Sequence, residues 1–178
     1  MRCRIRAVAL VVGLMGMLGL PAASAAPSPA KLDVRSESAL VVDVNSGKTL
    51  YQKNANKARP IASLTKLMTT LVVLEARQNL DQIITVDKDD IDRVKHTHSR
   101  IRMGTKVTRR DALHLALMSS ENRMASALGR HYPGGRSAFV RAMNNKARQL
   151  GMRNTHFYDS TGLSTRNVAT AQKTWGRR

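Results

Sequence analysis

Two short segments rich in apolar and β-branched residues, 39–44 and 49–51, flank Asn45-Ser46-Gly47-Lys48. They predict a hairpin, with the glycine supplying the turn. A helical period follows: Leu64, Leu67, Met68, Leu71, Val72 and Leu74 predict a buried helix over 63–77, and Pro60 limits how far back it begins. Residues 83–86 read as a short extended piece. Thr108-Arg109-Arg110-Asp111 is a capping-box pattern that introduces a helix over 112–118, with Leu113, Leu117 and the neighbouring alanines facing inward. Another helical stretch covers 121–131 and stops at Pro133-Gly134-Gly135. Phe139, Val140, Met143, Ala147 and Leu150 mark one more before Gly151. The pattern is that of a mixed α/β domain with a helical middle and no internal repeat.

The first 25 residues have a different character. Arg2, Arg4 and Arg6 precede an apolar run over 7–20, and Pro21 leads into Ala23-Ser24-Ala25. These are the charged, apolar and small-residue regions of a cleaved secretory signal, and the run falls short of the roughly 20 apolar residues that span a bilayer. Cys3 lies in the charged start, so it supports neither a lipoprotein anchor nor a disulfide framework. Export to the periplasm is the expected localisation, and a Pro-rich leader over 26–30 comes next.

At 178 residues, with 42% hydrophobic and 24% charged positions, the chain suits one globular domain. Thirty basic against 12 acidic residues give a net charge of +18, which favours an anionic partner or envelope surface. Nucleic acid is a poor fit: Lys and Arg are scattered, no run of like charge exceeds two residues, and six aromatics form no stacking stripe. His96 and His98 lack a partner at ligand spacing and read as a solvated strand or loop, and the nine methionines read as core filler.

Ser63-Leu64-Thr65-Lys66 places a hydroxyl at a helix N-terminus and an amine one turn later on the same side. Such a pair suits a nucleophile and its base, provided that desolvation or a nearby cation lowers the amine's pKa. The spacing alone is weak evidence, because Ser28-Pro29-Ala30-Lys31 shares it inside the Pro-rich leader, and a plain N-cap serine with a solvated lysine fits it too. Ser120-Glu121-Asn122 adds a second motif at the junction of two expected helices. Its hydroxyl suits proton relay and its amide suits holding a substrate amide or the lysine, where the plain alternative is a helix cap.

With these motifs in this order the chain resembles the low-molecular-weight penicillin-binding proteins that act as D-alanyl-D-alanine carboxypeptidases and endopeptidases. The resemblance extends to residues 39–51, 60–68, 115–123 and 159–164 with Asn167, and residues 118–123 followed by 131–135 are similar to the endopeptidase branch, penicillin-binding protein 7/8 in type. It implies a β-lactamase/transpeptidase-like fold of antiparallel sheet plus helical subdomain. It also implies Ser63 as acylated nucleophile, Lys66 as its base, and Ser120 with Asn122 as proton relay and substrate clamp. The implied partners are peptidoglycan stem peptides and cross-links, with β-lactams as inhibitors and no metal or organic cofactor.

The expected layout is a signal over 1–25, a leader and domain start over 26–38, a partial catalytic domain over 39–172 and an unrelated tail over 173–178. The family's Lys-Thr-Gly strand has no counterpart, since Lys173-Thr174-Trp175-Gly176 is interrupted by Trp. Its loss implies a truncated or frame-shifted copy with an open sheet edge, an uncovered helix face and an impaired oxyanion hole, a deficit of about 2.7–4 kcal/mol per lost donor. A non-catalytic wall-binding protein is the nearest rival. A class A β-lactamase fits less well, because its second motif usually reads Ser-Asp-Asn and a deacylating Glu is wanting.

Overall fold

The computed structural model of the chain describes residues 34–171. The expected signal with Cys3, the Ser28 and Lys31 pair of the leader, and the segment from Lys173 to Gly176 lie outside them. Strands β1 (Ala39–Val42) and β2 (Thr49–Lys53) form the expected antiparallel hairpin, turned through Gly47 at a φ of 70°. A third strand, β3 (Arg59–Pro60), leads into a single 3-10 turn, Ala62–Leu64, and then into α1 (Thr65–Glu75). Strands β4 (Ile83–Thr85) and β5 (Lys106–Thr108) pair across a long excursion. Helices α2 (Arg109–Met118), α3 (Asn122–Arg130) and α4 (Gly135–Gln149) follow, and β6 (Val168–Ala169) returns to pair with β3.

The sheet content is antiparallel, as the resemblance implies, and among the described residues it takes the form of three separate two-stranded ribbons, β1-β2, β3-β6 and β4-β5. The α2 start is as its sequence implies: the Thr108 hydroxyl accepts from the Asp111 N–H and donates to the Asp111 carboxylate, so both ends of the cap are satisfied.

The four helices enclose one core around Val73, Ala116, Met124, Leu128, Phe139 and Met143, which also takes in Ile84, Val86 and Phe157. The buried face of α1 is not the one its leucines predict. Leu64, Leu67 and Leu74 are exposed, whereas Thr65, Lys66, Met68, Thr69, Val72 and Val73 are buried. Leu117 of α2 is likewise exposed while Leu113 is buried. The polar residues replace the leucines because each has a partner inside: Thr69 donates to Ser160 O at 2.7 Å, and Thr65 Oγ1 accepts from Asn167 Nδ2 at 3.0 Å. Leu64 and Leu67, with Ile61, Leu71 and Met152, line an open apolar groove of 610 Å³. Met68, Met124 and Met143 fill the core as expected, but Met118 projects into solvent.

Candidate active site

Ser63 lies just ahead of α1, in the 3-10 turn rather than in the helix proper, and it is exposed. Ala62 before it has a φ of 45°, a left-handed conformation that turns the chain sharply into the helix. Lys66, one residue into α1, is only 2% exposed. Its ammonium position is defined by three oxygens: Asn122 Oδ1 and the Thr161 carbonyl, both at 2.8 Å, and Ser63 Oγ at 3.4 Å. Burial lowers the Lys66 pKa from its ordinary value, and the carboxylates of Asp159 and Glu121 partly oppose that shift.

Ser120 occupies the junction between α2 and α3. Its own φ is 53°, again left-handed, and this turn carries its hydroxyl across to Ser63, where Ser120 Oγ donates to Ser63 Oγ at 2.7 Å. Such backbone strain in residues other than glycine persists only where surrounding contacts hold it. Glu121 caps α3 by accepting from the Arg123 N–H, and Asn122 begins the helix with its amide directed at Lys66. All four residues singled out from sequence, Ser63, Lys66, Ser120 and Asn122, therefore meet in one hydrogen-bonded cluster, although 57 positions separate the two serines in sequence. The first three line an open cavity of 430 Å³.

Several contributors were given no role in the site from sequence, although residues 159–164 and Asn167 carry part of the resemblance. Asp159 accepts from the N–H groups of Thr161, Gly162 and Ser164 at 2.6–2.9 Å, curling residues 159–164 so that the Thr161 carbonyl faces Lys66. Asn167, fully buried, accepts from the Tyr158 and Asp159 N–H groups and donates to Thr65, pinning that loop to α1. Thr97 accepts from Asn122 Nδ2 at 3.0 Å and donates to Asp92. His96 and His98 flank Thr97 in an exposed loop, and among the described residues no group of three or more His, Cys, Asp or Glu is placed to hold a metal ion.

A buried amine of lowered pKa beside an exposed hydroxyl, with a second hydroxyl bonded to the first, suits nucleophilic acyl transfer. The sequence matches the model of the D-alanyl-D-alanine carboxypeptidase family over residues 23–174. This chain belongs to that family. It is 45% identical to a D-alanyl-D-alanine endopeptidase of Pseudomonas aeruginosa over 95% of this chain and 56% of that protein. It is 48% identical to a D-alanyl-D-alanine endopeptidase of Escherichia coli over 84% of this chain and 48% of that protein. The D-alanyl-D-alanine carboxypeptidase family member described here thus spans about half the length of these curated relatives.

Solved structures agree on the fold. A mutant of a Streptomyces DD-transpeptidase superposes with a TM-score of 0.70 at 33% identity, covering 79% of this chain and 58% of that one. A Listeria monocytogenes penicillin-binding protein in an ampicillin-bound form does so with a TM-score of 0.65 at 34% identity and the same coverages. This member of the D-alanyl-D-alanine carboxypeptidase family therefore has the fold of the serine DD-peptidases, as its motifs imply.

Proposed function

We propose that the protein is a serine DD-peptidase that cleaves peptidoglycan peptides and cross-links through an acyl-enzyme on Ser63. The observation that carries this reading is the Ser63, Lys66, Ser120 and Asn122 cluster, in which a nucleophile, a desolvated base and a relay hydroxyl lie within one hydrogen-bonded set. Neutral Lys66 takes the Ser63 proton as Ser63 Oγ bonds to the carbonyl carbon of the penultimate D-alanine. The resulting tetrahedral centre collapses with cleavage of the peptide C–N bond. Ser120 Oγ passes a proton to the departing amine, replenished from Lys66. Water then attacks the ester by the reverse proton path and frees Ser63.

Asn122 holds Lys66 in place and offers its amide edge to the substrate backbone. A β-lactam enters the same first step, but its leaving amine stays tethered to the acyl group, so the ester persists. Likeness to two proteins named D-alanyl-D-alanine endopeptidases supports cross-link cleavage, rather than release of terminal D-alanine, as this chain's reaction. Export by residues 1–25 belongs to the same reading, since the substrate lies outside the cytoplasm. Among the described residues no helix is long and apolar enough to cross a membrane.

The reading is tested by incubating the full chain with purified cross-linked muropeptide dimers and separating the products by chromatography with mass detection. Conversion to monomers in the wild type, lost in Ser63→Ala, is the expected result. Equal conversion by both, or retention of the dimer on the protein without cleavage, would replace it with a different nucleophile or with a wall-binding role.

A further inference from the structure

The proposed base faces an amide that could present either of two ends to it. Asn122 begins α3, and a half-turn about its last side-chain torsion exchanges the oxygen for the NH2 group at almost no covalent cost. What decides between the two is the loop ahead of β5. Asp92, 8% exposed, accepts from the N–H groups of Val94, Lys95 and Thr97 at 2.8–2.9 Å. It also accepts from the Thr97 hydroxyl at 2.7 Å. An ionised carboxylate is an acceptor only, so the single Thr97 hydroxyl proton goes to Asp92. That leaves lone pairs on Thr97 Oγ1, and Asn122 Nδ2 donates to them at 3.0 Å.

We propose that Thr97, fixed by Asp92, is a positioning residue that locks the Asn122 amide with its oxygen toward Lys66. The inference rests on the reading of Lys66 as the base for Ser63, and its consequence for that base is specific. A neutral lysine amine has two N–H groups and one lone pair. Asn122 Oδ1 and the Thr161 carbonyl, each at 2.8 Å, accept the two N–H groups. The lone pair is then left for the proton of Ser63, the third neighbour at 3.4 Å. With the amide reversed, its NH2 group would compete with Ser63 for that lone pair and place partial positive charge against the amine. Exposed Thr97, between His96 and His98 in an irregular loop, thereby acts on Ser63 through two intervening side chains, Asn122 and Lys66.

Thr97→Val, Thr97→Ser and Asp92→Asn separate positioning from loop architecture. Valine keeps the Thr97 backbone N–H bond to Asp92 but removes the acceptor, and serine restores it. Asn at position 92 can donate to Thr97 and so release the hydroxyl proton toward Asn122. Two quantities are measured in the full chain across pH: the acylation rate constant with a fluorescent penicillin, and the Lys66 midpoint from the 13Cε resonance of labelled lysine, assigned with Lys66→Met. Asp159 and Glu121, whose carboxylates act on Lys66, are kept in all these chains; Asp92→Asn itself removes a carboxylate, so the midpoint is judged on the charge-neutral pair Thr97→Val and Thr97→Ser.

Thr97→Val and Asp92→Asn are expected to lower the plateau acylation constant by about 10- to 100-fold, only part of the roughly 10²–10⁴ that a positioned base supplies, and to move the Lys66 midpoint to lower pH. Thr97→Ser is expected to retain both wild-type values. Wild-type plateau and midpoint in Thr97→Val would overturn the proposal, as would a slower Thr97→Val with an unmoved midpoint. If the wild type is not acylated at all, the base reading fails on its own, and the midpoint still decides: movement in Thr97→Val but not in Thr97→Ser supports the lock, and no movement overturns it.

Discussion

Gly162 packs so closely on the residue before Ser63 that a Cβ added to it would stand 1.9 Å from the Ala62 carbonyl oxygen. Its φ of 86° is also one that side chains other than glycine's disfavour. The 159–164 loop therefore does two things at once, supplying the Thr161 carbonyl to Lys66 and abutting the turn that presents Ser63. Because the atom in the way is backbone, neither side can yield without moving Ser63. Gly162→Ala is expected to cost about 3 kcal/mol of folding stability in denaturant titrations, at the upper end of single substitutions, and to slow acylation in whatever fraction remains folded.

Lys66 predicts a distinctive dependence of stability on pH. Burial lowers its folded pKa below the ordinary lysine value of 10.5. Between the folded and the unfolded value the unfolded chain binds more protons at this site, so stability rises with pH across that window. The penalty for charging the buried amine is complete below the folded pKa and absent above 10.5. Denaturation curves at a series of alkaline pH values should show this rising component in the wild type, and the difference between wild type and Lys66→Met should isolate it.

Much of the site was legible because its parts are local patterns. The Ser63 and Lys66 spacing, the Ser120 and Asn122 pair and the Thr108 cap each need only a few consecutive residues to be seen. The inward face of α1 was not legible, since leucine periodicity alone assigns Leu64, Leu67 and Leu74 to the core. Thr65, Lys66 and Thr69 take those places only because Asn167, Thr161 and Ser160 return from roughly a hundred residues later to bond them. Thr97 and Asp92 were hidden for a related reason. They lie in an irregular loop with no period, and their effect is exerted through side chains of another element.

Asp90, two residues ahead of Asp92, has a fully buried carboxylate bonded to Arg130, Arg136 and Ser126. Burial alone would raise its pKa, but the Arg130 side chain, the Asp87 backbone bond and Ser126 outweigh it and hold the carboxyl below its ordinary 3.8. Its stabilisation is therefore present above pH 3.8 and is lost as pH falls through the lower folded value. Asp90→Asn should destabilise the protein by about 3 kcal/mol at neutral pH, since it leaves two arginines without their buried counter-charge, and it should flatten this part of the acid denaturation profile.

The central claim is that Ser63 becomes covalently acylated with Lys66 as its base. Intact mass spectrometry of the full chain after incubation with penicillin tests it most directly, alongside Ser63→Ala and Lys66→Met. A single penicilloyl adduct on the wild type, mapped to Ser63 by peptide digestion and lost in both variants, is the predicted result. No adduct on a chain whose circular dichroism shows it folded, or an adduct that persists in Ser63→Ala, would contradict it.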